Sequence, residues 1–191
     1  MQSCRQPKES KLTYTLRQLT KAFAIAHPAV RSESGLELEK LIHVRGRNLR
    51  DKGLIRANHA SAPGEHLFSD EDVAAACVAL AMNLAGLPWA YIETMNYWLR
   101  PTSGSTRTDL DPFAFDHAIV AIKSGKKRFV TVAWSFDGTH LPLAWSEAFL
   151  HEKPHVPEGP NIAIVVPVNQ VAKPVFDALV DLKQLKSGGK Q

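Results

Sequence analysis

Hydrophobic residues in the first third of the chain recur every three or four positions, the spacing of one face of a helix. After Thr15 this pattern predicts a short amphipathic helix that Thr15 caps and that ends before His27 and Pro28. A second periodic stretch opens at Ser34 and stops at Gly53, with room for one break. Its residues predicted to be buried are Leu36, Leu38, Leu41, Ile42 and Leu49.

A turn-rich segment and two further helices are predicted next. Residues 56–66 contain Asn, Ser, Pro and Gly and are too short and polar for a core element, which favours a wing. Ser69 and the three acidic residues after it cap a predicted helix that Gly86 closes. Pro88 opens another helix, which ends before Pro101. Its aromatic residues are expected to pack in the core, with stacking on bases or a ligand as the alternative.

The hydrophobic period changes after residue 111. Residues 118–122 and 129–134 are rich in β-branched residues and predict two strands of a hairpin. Residues 162–168 predict a third strand, residues 143–150 a short helix, and residues 174–186 a helix that closes the sheet. The predicted fold class is therefore α+β.

These patterns divide the chain into two predicted domains. A mostly helical domain covers residues 13–100, and a small α+β domain covers residues 112–186. The polar residues 101–111 between them are predicted to be a linker. A leader, residues 1–12, and a tail, residues 187–191, are too polar to join a core and are expected to be disordered.

The positive charge is concentrated in the first third of the chain. Residues 1–60 carry 12 Lys and Arg against 5 Asp and Glu, a net charge of +7, whereas residues 61–191 carry 11 against 14, a net charge of −3. A localised positive field is suited to binding phosphates, because neutralising them releases condensed counterions. Membrane surfaces would also attract it, so charge alone does not decide between the two partners.

Targeting signals and cysteine clusters are not evident in the sequence. No apolar run approaches the roughly 18 residues of a membrane span, and the polar start lacks the apolar stretch of a secretory signal. We therefore expect a cytoplasmic protein that does not associate with membranes. The two cysteines, Cys4 and Cys77, are too few for a disulfide framework or a cysteine metal cluster.

Four segments of the first domain have the sequence pattern of one family. Residues 64–73, Gly-Glu-His-Leu-Phe-Ser-Asp-Glu-Asp-Val, resemble the junction between wing and helix in MerR-family regulators. Residues 83–92 are similar to the turn with Gly and an aromatic that follows it, and residues 14–19 to the opening helix. Residues 47–55 resemble the end of the family's recognition helix. This resemblance implies a winged helix-turn-helix that binds double-stranded DNA.

The basic residues of this helix favour DNA binding even without that resemblance. A helix can enter the major groove, where Arg can bind guanine O6 and N7 with two hydrogen bonds. The alternative is a solvated basic helix face. Arg47 and Arg50 are expected to share one face, and the resemblance places His66 where the wing reaches a phosphate or the minor groove. The residues predicted to contact DNA are Arg17, Arg45, Arg47, Asn48, Arg50, Lys52, Arg56 and His66.

Catalytic and metal sites have weak support in the sequence. His151 and His155 have a spacing found in metal ligands, but Pro154 interrupts the helix that would bring them together, so an exposed loop is expected. Three acidic residues near the predicted linker lack a glycine-centred calcium loop; they are Asp109, Asp111 and Asp116. With no nucleophile motif or phosphate-binding glycine loop, neither an enzyme nor a cofactor is predicted.

The sequence therefore predicts a transcriptional regulator that acts as a homodimer. The C-terminal domain is expected to dimerise, recruit a protein partner or bind a small molecule, and Trp134 and Trp145 are expected to lie in its core rather than in a pocket. An architectural accessory factor of phage or mobile DNA, acting in excision or packaging, is the alternative function.

Overall fold

A computed structural model describes residues 13–28, 35–57, 66–99, 114–135, 145–156, 158 and 162–188. These residues combine helices with small sheets, so the predicted α+β class is confirmed. The predicted leader, residues 58–65 of the predicted wing and the predicted linker lie outside the described residues. Across the described ranges, every helix is too short or too polar to span a lipid bilayer.

Helices and strands are numbered in chain order. The described helices are α1 (Leu16–Ala26), α2 (Gly35–Asp51), α3 (Asp70–Leu84), α4 (Trp89–Leu99), α5 (Ala114–Lys123) and α6 (Val168–Gly188). The strands are β1 (Tyr14–Thr15), β2 (Leu67–Phe68), β3 (Phe129–Ser135), β4 (Trp145–His151) and β5 (Ile162–Pro167). β1 pairs with β2, and β3 lies between β4 and β5; all three pairings are antiparallel.

Capping explains where the N-terminal helices begin and end. Thr15 and Gln18 form a capping box at α1, in which the Thr15 hydroxyl accepts from the Gln18 N–H and the Gln18 side chain accepts from the Thr15 N–H. Ser69 and Asp72 form the same box at α3. Gly53 follows α2 with a φ of 70°, a conformation that favours glycine. The predicted helices of this region are thus confirmed, and α2 is continuous.

Two predicted elements of the second half are wrong. Residues 118–122 belong to helix α5, in which Phe115, Ala118 and Ile122 form a buried stripe with helical spacing, while Val120 is 76% exposed. Residues 145–150 belong to strand β4, which pairs with β3 along its length. The strand predictions at β3 and β5 are confirmed. α6 begins six residues before Pro174 and runs through Gly188, into the predicted tail.

The two predicted domains contribute to one hydrophobic core. α6 packs against α1 and α3, α5 packs against α3 and α6, and β3 and β4 pack against α4. Trp134 of β3 is 1% exposed, and its ring centroid lies 3.7 Å from that of Tyr91 in α4. Trp134 is therefore a core residue, as predicted, and part of that core comes from the N-terminal half.

A polar cluster of Tyr14, Asp70, Lys123 and Lys183, here called the junction cluster, joins the two halves. Lys123 Nζ donates to Asp70 Oδ2 at 2.6 Å, and Lys183 Nζ lies 4.2 Å from the centroid of the Tyr14 ring. Burial of the Tyr14 ring, with the negative charge of Asp70 beside it, raises the pKa of Tyr14 to about 12. The cluster thereby links β1, α3, α5 and α6.

The crossing of α1 and α2 requires a glycine. A Cβ atom at Gly46 would lie 2.8 Å from Thr20 Cγ2, which is closer than packed carbon atoms approach. Thr20 is 1% exposed, and its hydroxyl lies 3.0 Å from His43 Nδ1, so the side chain is held in place. Gly46 thus sets how closely α2 approaches α1.

We expect Gly46→Ala to lower the free energy of unfolding by about 1 kcal/mol, because overpacking outweighs the gain in helix propensity. Thr20→Ser removes the obstructing methyl group and keeps the hydroxyl. In that background the same Gly46→Ala change should instead raise the free energy of unfolding. Urea unfolding of the four proteins measures both effects, and equal effects of Gly46→Ala in the two backgrounds would contradict this packing.

Candidate nucleic-acid interface

Helix α2 has one buried stripe and one broad solvent-facing side. Leu38, Ile42 and Leu49 are buried against the core, as predicted. Leu41 was predicted to be buried, but it is 48% exposed, because it projects about 60° away from Leu38 around the helix axis. The exposed residues of α2 with described side chains are Glu37, Lys40, Leu41, Val44, Arg45, Arg47, Asn48 and Asp51.

The basic residues of α2 lie on two flanks of that exposed side. Arg45 and Arg47 are two residues apart and therefore point about 200° apart around the helix axis. The Arg47 flank consists of Lys40, His43, Arg47 and Arg50, and the Arg45 flank consists of Leu41, Arg45 and Asn48 and is continued by Lys52, which follows the end of α2. Arg47 and Arg50 thus share one flank, as the helical spacing predicts, while Arg45 is on the other.

The Arg47 flank adjoins helix α1. An open pocket of about 400 Å³ between the two helices is lined by Arg17 of α1 and by Glu39, Lys40 and His43 of α2. The structure therefore brings Arg17, the DNA-contact candidate from α1, next to α2. Lys40 and His43 were not among the predicted contacts, although their spacing from Arg47 along the helix would have placed them on its flank.

At the C-terminal end of α2, several predicted residues surround one carboxylate. Arg50 donates to Asp51 Oδ1 from Nε at 3.0 Å and from its terminal nitrogen at 2.7 Å. This hydrogen bonding, together with the positive charges of Arg50, Arg47 and His66, holds the pKa of Asp51 below its usual value. His66, which precedes β2, is thereby placed near α2. Asp51 offsets part of the positive charge of this group.

The Arg45 flank extends to helix α4. Lys52 Nζ lies 3.7 Å from the centroid of the Trp89 ring, a cation–π contact. Trp89 was predicted to be a core residue, yet it is 45% exposed, and Tyr97 is 56% exposed. Arg56 Nε donates to the Gly53 carbonyl at 3.3 Å, so Arg56 points back toward the end of α2.

The histidines considered as metal ligands lie close together without completing a metal site. The ring centroids of His151 and His155 are 5.1 Å apart. His151 is the last residue of β4, so the predicted exposed loop is wrong at that position, whereas His155 follows in an exposed segment outside the strands. Among the described residues, no group of three or more His, Cys, Asp or Glu side chains is arranged to hold a metal ion. Asp109 and Asp111 lie outside the described residues.

Comparison with known proteins leaves the site to be interpreted from its own chemistry. No protein-family model, curated protein or solved structure matches the chain. The described side chains offer a helix with cations on two flanks, the Asn48 amide on the Arg45 flank, a further cation from α1, and the imidazole of His66 before β2. Such an arrangement can bind a polyanion along the length of α2.

The histidine pair predicts a pH dependence of stability. His151 Nε2 is buried, and burial together with the charge of His155 lowers the pKa of His151. The folded state then binds fewer protons than the unfolded state, so stability should fall as the pH drops below about 6.5. His151→Phe should reduce this loss between pH 7.5 and pH 5.5. Urea unfolding at several pH values is the measurement, and an unchanged slope would contradict the assignment.

Proposed function

We propose that this protein binds double-stranded DNA in a sequence-specific manner through helix α2 and acts as a transcriptional regulator. The observation that carries the proposal is the exposed side of α2, where Arg45, Arg47 and Asn48 project into solvent from a helix whose opposite side is buried. Arginine and asparagine are the side chains that bind guanine and adenine edges with paired hydrogen bonds. The net charge of +7 in residues 1–60 adds attraction to phosphates.

The shape of α2 supports the same function. An α-helix with its side chains is about 10 to 12 Å wide, which matches the roughly 12 Å width of the major groove. With α2 in the groove, the Arg47 flank would approach one wall and the Arg45 flank the other. Arg17 on α1 would then lie over the phosphates beside the Arg47 flank, and His66 would approach the backbone near the end of α2.

A homodimer would extend this recognition. One helix reads few base pairs, and two copies related by a twofold axis would read two half-sites of a palindromic operator. α5 and α6 leave Val120 and Val180 exposed to solvent, and these apolar side chains are available to a second copy.

Replacing Arg47 tests the proposal directly. A binding site is first selected from random duplexes with the wild-type protein. Arg47→Ala is expected to weaken binding to that duplex by about 1 to 3 kcal/mol while leaving the fold intact, because an exposed arginine contributes little to stability. Titrations of selected and scrambled duplexes, with circular dichroism of each variant, are the measurements.

The control for Arg47→Ala is Lys153→Ala, which removes an exposed cation from the segment after β4. If Lys153→Ala weakened binding as much as Arg47→Ala, the loss of affinity would reflect a diffuse electrostatic effect and not a contact made by α2. Failure to select any duplex, or equal affinity of wild type and a folded Arg47→Ala variant for the selected site, would refute the proposal.

Removal of Asp51 should have the opposite effect. Asp51→Asn deletes the negative charge beside Arg47, Arg50 and His66, so affinity for duplex DNA should rise several-fold at low salt and less at high salt. Asp177→Asn is a matched control, because Asp177 of α6 also pairs with a cation, Lys173, on an exposed helix surface. Salt titrations of both variants measure the effect. An equal gain from the two substitutions would show that position on α2 is irrelevant.

A further inference from the structure

Two aliphatic side chains lie on the exposed side of α2. Val44 is 52% exposed and Leu41 is 48% exposed, and they are three residues apart, so they are neighbours on the helix surface. Exposed aliphatic residues are common on protein surfaces when they occur singly. These two form a small apolar patch, the Val44 patch, and charged or polar residues flank it. The flanking residues are Glu37, Lys40, Arg45, Arg47 and Asn48.

The charge around the Val44 patch indicates what could cover it. The buried centre of an interface between proteins is depleted of charged residues, whereas three cations adjoin this patch. A partner that matches it must offer an apolar spot between two rows of negative charge. The major groove of DNA has this arrangement, because thymine 5-methyl groups project from its floor between two phosphate backbones.

We infer that the Val44 patch contacts thymine 5-methyl groups and that the adjacent Asn48 binds adenine, so that the target site contains A·T base pairs opposite the middle of α2. Asn48 follows Val44 by four residues and therefore lies one turn further along the same surface. Its amide can donate to adenine N7 and accept from adenine N6. This inference rests on the proposed function and names the bases that α2 would recognise.

Uracil provides a probe for the methyl contact alone. Deoxyuridine differs from thymidine only in the missing 5-methyl group and keeps the same hydrogen-bonding atoms in the groove. In the selected duplex, each thymidine is replaced in turn by deoxyuridine. Wild-type protein should bind about fourfold more weakly at one or two of these positions, the loss expected for one buried methyl group.

Val44→Ala identifies the protein side of the contact. This variant should bind the thymidine duplex more weakly than wild type does, and it should no longer distinguish deoxyuridine from thymidine at the sensitive position. Val156→Ala is a matched control, since Val156 is 58% exposed in the segment after β4. It should keep the full fourfold difference. Asn48→Ala should lose the preference for adenine in a repeated selection.

The outcomes separate the inference from the proposed function. If wild type binds its selected duplex but no deoxyuridine substitution weakens binding, the inference is overturned and DNA binding stands. The inference is likewise overturned if Val44→Ala keeps the full discrimination of wild type. If no duplex is selected at all, the proposed function fails and the inference fails with it.

Discussion

The enclosure of helix α3 is the constraint on which the remaining structure depends. Eleven of its fifteen residues are buried, so the helix has no solvent-facing stripe. It must therefore be surrounded, and α2, α4, α5 and α6 all contact it. Enclosure also raises the pKa of the Cys77 thiol, which stays uncharged in the centre of α3. Because α5 and α6 complete the enclosure, the helices that support α2 depend on the second half of the chain.

That dependence explains which helices and strands could be predicted from the sequence and which could not. Thr15, Ser69 and Gly53 mark the helix ends of the first half by local hydrogen bonds or backbone conformation, which a sequence shows directly. Ala118 to Ile122 is rich in residues that favour strands, yet it is helical, because its apolar stripe packs on α3 and α6. Residues 145–150 are a strand because β3 offers an edge to pair with. Long-range packing of this kind is not visible in a local pattern.

In the candidate site, too, local spacing could be predicted from the sequence, whereas contacts between distant residues could not. The exposed positions of Arg45, Arg47 and Asn48 follow from helical spacing, and all three were predicted from the sequence. The contact of Lys52 with Trp89 and the pocket beside Arg17 could not be predicted, because each joins residues of different helices. The hydrophobic pattern alone does not tell whether Leu41 faces the core or the solvent. Its exposure could be predicted only once the direction of the buried stripe of α2 was known.

The packing of α6 against α1 also bears on how the molecule acquires its structure. Tyr14 and Lys183 meet in the junction cluster, and α1 packs on α6. These contacts join residues that are far apart in the sequence. Contacts between such distant residues slow folding, because a long loop must close before they form. On the ribosome, α1 and α2 would be synthesised well before α6. The contacts between α1 and α6 therefore form only after residue 183 has been synthesised, as a late event in the maturation of the protein.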